Sequence, residues 1–122
     1  FFFHADAGIR DFCLSRGLGD VYKRQPLILN MMERHPDGSQ AFIPMSTNGF
    51  LIIVANDKNS RPDIPKAFVT APGQAINFFK GTWHGVLTPL SEPGLFAVID
   101  RIGKSQNLEE FFFDVPYIVD TL

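Results

Sequence analysis

Downstream of Pro26 the apolar residues fall into short runs of strand length: LILNMM (27–32), QAFIPM (40–45), FLIIVA (50–55), KAFVT (66–70), AINFFK (75–80), GVLTP (85–89) and LFAVID (95–100). They are rich in branched and aromatic side chains, which suit a pleated, half-buried surface better than a helix. Between them lie DGS (37–39), STNG (46–49), NDKNSRPDIP (56–65), APGQ (71–74) and SEPG (91–94), whose residues are those of turns. No stretch before Gly103 repeats its apolar positions at helical spacing for long enough to make a core helix. SQNLEEFFFD (105–114) could open as one helical turn capped by Ser105 or Asn107, but is better read as the lead into a final strand. Many short strands at regular spacing predict an all-β fold, a sandwich or a barrel.

The first 25 residues do not share this pattern, since neither helical nor strand periodicity is sustained there. Their charges are scattered rather than gathered ahead of an apolar core, so they do not form a secretory signal. GLG at 17–19 follows no convincing strand and lacks the third glycine of a nucleotide loop. The segment resembles the translation of a sequencing-adapter read-through at the edge of a reading frame. It is expected to be an artefactual or disordered extension, set apart from a single domain at 26–122.

Composition narrows the function classes. The whole chain is 45% hydrophobic and 20% charged, with a net charge of −2, which is the profile of a globular protein and not of a disordered one. Residues 26–122 carry seven basic and ten acidic side chains, net −3, and give no basic footprint for nucleic acid or an anionic membrane. FLIIVA is far too short to span a bilayer. The one cysteine, Cys13, excludes an internal disulfide framework and fits a reducing compartment, with the cytoplasm as the expected location.

The chemistry-bearing residues gather around two turns. On a strand Glu33 and His35 project to one side and Arg34 to the other. The PDG turn at 36–38 then bends the chain so that Gln40 looks back toward the same space. Far downstream, a glycine turn at Gly81 delivers His84. Trp83 beside it is expected to be core packing, and the adjacent Glu109 and Glu110 diverge on a strand, which favours a solvated or subunit-facing role.

These spacings resemble the two motifs of the cupin superfamily. Glu33, one residue, His35, four residues and Gln40 follow the core of the first motif, with Glu in the first ligand place and Gln in the last. Gly73, five residues, Phe79, one residue, Gly81, two residues and His84 follow the second, with Phe79 in the usual proline place and Thr88 in that of the closing asparagine. A narrower resemblance covers the chain from Pro26 onward. MMERHPDGSQAFIPM, GQAINFFKGTWHG and DRIGKSQNLEEFFF are similar, in order and spacing, to three signature blocks of the ureidoglycolate lyase family, although Gly85 stands where relatives often carry a second histidine.

The resemblance implies a jelly-roll-like, cupin-type β-barrel, homodimeric when full length. Family members extend further upstream, so the chain is expected to be N-terminally truncated. The implied reaction is that of a carbon–nitrogen lyase, cleaving (S)-ureidoglycolate to glyoxylate and urea in allantoin and purine catabolism. Nickel is the metal that the family suggests, although an N/O ligand set does not by itself choose among divalent ions. His35 and His84, with Glu33 and Gln40, are expected to hold the metal or, without one, the substrate. Glu33, His35 and His84 are the candidate catalytic groups, with Glu33 either a ligand or the base. Lys80 and Arg101 are candidate partners for the substrate carboxylate and Asn77 for the ureido group. Two other classes stay open: a metal-dependent cupin oxygenase, and a non-catalytic cupin that binds a small acid.

Overall fold

The computed structural model of the chain describes residues 26–92 and 94–120 and, before them, the backbone of residues 10–12 and 14–15. The rest of the first 25 residues, Cys13 included, lies outside the described residues. In chain order the strands are β1 Arg10–Phe12, β2 Leu14–Ser15, β3 Leu27–Arg34, β4 Gln40–Pro44, β5 Phe50–Ala55, β6 Asp57–Lys58 and β7 Arg61–Pro62. They continue with β8 Lys66–Val69, β9 Ile76–Phe78, β10 Trp83–His84, β11 Thr88–Pro89, β12 Phe96–Asp100 and β13 Glu109–Val119. Every expected run from residue 27 onward carries a strand, and the FFFD stretch lies in the longest of them. The β6–β7 hairpin falls inside the expected turn at 56–65, closed by Asn59 and Ser60 at φ 54° and 61°. Such positive angles belong to the two-residue turns that match strand twist. No helix among the described residues is long and apolar enough to cross a membrane.

All pairings are antiparallel. The large sheet runs β1-β8-β5-β10-β3-β13-β2, with β11 also on β5, and a second sheet runs β12-β4-β9. The all-β architecture agrees with a cupin-like fold, but the sheets do not close into the expected barrel. Closure requires a partner on both sides of every strand. Among the described residues β12 and β9 pair only with β4.

β5 is buried along its whole length because it separates two cores. Phe50, Ile52 and Val54 point toward the small sheet and pack with Phe42, Ile76 and Phe78. Leu51, Ile53 and Ala55 alternate to the other face and pack with Leu29, Met32 and Trp83. The hydrophobic run thus reads as continuous because both faces of the strand are covered.

Candidate metal centre

Register decides which side chains meet. Val54 pairs with His84, His84 with Glu33, and Glu33 with Glu110, so one row of the large sheet presents these four toward the small sheet. The adjacent row, Ala55, Trp83, Arg34 and Glu109, takes the opposite face. There the Arg34 guanidinium lies 4.5 Å from the centre of the Trp83 ring, bonds Asp57 at 2.7 Å and pairs with Glu109. Trp83 also donates its indole N–H to Asp57 at 2.9 Å, and this bond, before the Arg34 charge, holds the Asp57 carboxyl below the ordinary range. The Glu33/Arg34 alternation is therefore as expected, and Trp83 is core.

On the small sheet the corresponding row is Asp100, Gln40 and Phe78. Phe78 stacks on His84 with ring centres 4.5 Å apart and planes 1° from parallel. His35 follows the end of β3, and its ring centre is 5.2 Å from that of His84. The Gly81 N–H donates to the His35 carbonyl at 2.8 Å, which ties the turn before His84 to the end of β3. Gly81 has φ +80°, a conformation that residues with a Cβ rarely adopt. Each of Glu33, His35 and His84 offers a ligand atom, all within 4.8 Å of one another.

The hydrogen bonds assign the ring nitrogens. Nδ1 of His35 faces the Asn107 carbonyl at 2.7 Å, and Nδ1 of His84 faces the Gly85 carbonyl at 3.0 Å. A carbonyl only accepts, so each Nδ1 carries a proton, and in the neutral ring Nε2 then keeps a lone pair. Both Nε2 atoms are buried without a partner, as is the Gln40 Oε1. The Gln40 amide nitrogen is committed to Asp100 Oδ2 at 3.0 Å, which leaves that oxygen as acceptor. A buried unpaired acceptor costs about 1–3 kcal/mol. Two of these acceptors, the histidine Nε2 atoms, converge with the Glu33 carboxylate into a donor set that suits a divalent cation.

Electrostatics agree. Burial pushes the Glu33 carboxyl above its ordinary value, opposed by His35 and reinforced by Glu110 and Asp100. Burial also lowers the His84 imidazole to about 4, so it is neutral at pH 7.

The other expected contacts do not assemble. Asn77 sits between Ile76 and Phe78, both turned into the space between the sheets, and therefore faces away from it. Lys80 is exposed in the turn after β9. Arg101 is exposed too, and lies over the 36–38 turn: a Cβ on Gly38 would come 2.6 Å from the Arg101 Cβ. Asp100, Asn107 and Glu110 were not anticipated at the site. Glu110 is exposed, as expected, and the alternation that sets it apart from Glu109 was the one available signal that it shares the Glu33 face. A groove of about 470 Å³ between the β6–β7 hairpin and β13, lined by Lys58, Arg61, Phe111, Phe113 and Tyr117, contains none of the ligand residues.

Comparison with known proteins agrees with the sequence motifs. The family model described as Ureidoglycolate lyase matches residues 17–120. A ureidoglycolate lyase of Chelativorans sp. (strain BNC1) is 56% identical over 92 residues, which cover 75% of this chain and 56% of the relative. Ureidoglycolate lyase 2 of Rhizobium meliloti is 55% identical over 95 residues, 78% of this chain and 58% of the relative. A ureidoglycolate lyase of Brucella melitensis biotype 2 is 41% identical over 112 residues, 88% of this chain and 66% of the relative. The chain thus spans somewhat more than half the length of the curated relatives it matches. With a family model matched along most of its length, this chain belongs to the ureidoglycolate lyase family.

Proposed function

We propose that this site binds a divalent cation and cleaves ureidoglycolate to glyoxylate and urea. The observation that supports it most is the convergence of Glu33, His35 and His84 within 4.8 Å, in a chain whose relatives carry that name. His35 and His84 would hold the ion through Nε2, and Gln40 Oε1 and one oxygen of Glu33 would complete the set. Nickel fits these donors, as the family resemblance implies.

The substrate is a hemiaminal, with a hydroxyl, a carboxylate and the urea nitrogen on one carbon. Cleavage breaks the O–H and C–N bonds and forms a C=O and an N–H bond, with no net oxidation. A divalent cation held there would supply the positive charge that acidifies the hydroxyl and balances the substrate carboxylate. Glu33, through the oxygen that the ion would leave free, takes the hydroxyl proton and returns it to the departing nitrogen. The side chains that bear on Glu33 besides His35 are the acidic Glu110 and Asp100, so an anionic substrate needs the ion as its counter-charge. Association between copies of the chain, of the kind expected for the family, is supported by β12, an edge strand exposed on both faces from Ala97 to Asp100.

The test is an anaerobic assay of the nickel-loaded chain with ureidoglycolate, reading glyoxylate. Product is expected without oxygen, falling to background with chelator or in His84→Ala. Turnover only in air would indicate an oxygenase, and binding without product would indicate a small-acid-binding cupin.

A further inference from the structure

Asn107 lies far from the two motifs, in the segment between β12 and β13, yet it grips the His35 turn from both sides. Its carbonyl accepts from His35 Nδ1 at 2.7 Å, and its side-chain Oδ1 accepts the Asp37 N–H, also at 2.7 Å. Pro36, between them, has no N–H to offer. The same segment is pinned a second time where the Ser105 hydroxyl donates to Asp37 Oδ2 at 2.6 Å. Asn107 is half-buried while residues 101–106 and 108 are exposed, so this single residue of the strap turns inward.

We propose that Asn107 is a positioning residue, which fixes His35 in the Nδ1–H tautomer and aims its Nε2 lone pair at the ion. The functional consequence rests on the metal reading above. The side-chain oxygen anchors the segment to Asp37, and the anchored segment presents the carbonyl to the ring. Removing the side chain leaves the carbonyl in place chemically but frees it to drift. A ligand histidine whose second nitrogen loses its fixed partner loses both orientation and basicity.

Two readouts test this. Long-range ¹H–¹⁵N spectra of the metal-free chain report the His35 tautomer, and calorimetric titration with nickel chloride reports affinity. In Asn107→Ala the single Nδ1–H form is expected to give way to a mixture, with nickel affinity falling about tenfold. Asn107→Asp keeps an acceptor at the same reach and is expected to restore the tautomer and most of the affinity. An Ala variant with the wild-type tautomer and unchanged affinity overturns the proposal. If that variant does not fold, the Asp variant decides: a disturbed His35 ring in it overturns the proposal, and a wild-type ring supports it. A wild-type chain that holds the Nδ1–H form but takes up no nickel would refute the metal reading and leave the positioning role intact.

Discussion

His84 is fully buried, carries an unpaired Nε2 and stacks on Phe78, so its protonation is costly. Its folded pKa of about 4 lies below the ordinary 6.5, so between these values the unfolded chain binds a proton that the folded chain does not. Stability of the metal-free protein is therefore present above pH 6.5 and is lost as pH falls toward 4, by roughly 3 kcal/mol at most. Glu33 works in the opposite sense: its raised pKa costs stability as pH rises through it. Denaturant midpoints measured from pH 7.5 to 4 should decline, and the decline should flatten in His84→Gln; a wild-type curve level over that window would contradict this account. Strand alternation and two turns suggested that Glu33, His35, Gln40 and His84 face one space, and the family resemblance singled them out as the candidate ligand set. Asn77 was not legible, since the run AINFFK does not say which parity is inward until Ile76 and Phe78 are seen in the core. Asp100 and Asn107 act on Gln40 and His35 across separations of 60 and 72 residues, beyond any local pattern.

At the level of elements, the seven strand-length runs and the last strand were legible from their branched and aromatic residues, whereas the short β1, β2, β6, β7 and β10 were not. β10 is two residues long and exists because β3 and β5 flank it on either side. The turn between β3 and β4 is as constrained as the strands. Gly38 leaves no room for a methyl group beside Arg101, whose Cβ is fixed to its own backbone and cannot swing clear. Gly38→Ala is expected to push the 101–107 strap off the turn and cost about 1–3 kcal/mol in chemical denaturation. Pairing it with Arg101→Gly should recover most of that loss, and additive losses in the double mutant would show that the contact is not the cause.

For the molecule as a whole, the fold class was readable but barrel closure was not, because closure depends on what lies beside β12 and β9 rather than on their own residues. β12 and its flanks expose Leu95 at 64%, Ile99 at 61% and Ile102 at 97%. Among the described residues the outer edge of β12 has no partner strand, and such an edge with this apolar surface is a pairing surface. Sedimentation should show concentration-dependent association, reduced by Ile99→Lys, whose side chain faces away from Phe42 and the space between the sheets. A monomer at all concentrations would contradict this. The parallel Phe78 and His84 rings bridge the two sheets like a rivet. One imidazole is thereby denied rotation, while the other sits at a turn held by hydrogen bonds from the strap and from the Gly81 N–H. Under the proposed metal binding, ions of different radius would be accommodated by adjustment on the His35 side, and discrimination among them would be set by how far that turn can give.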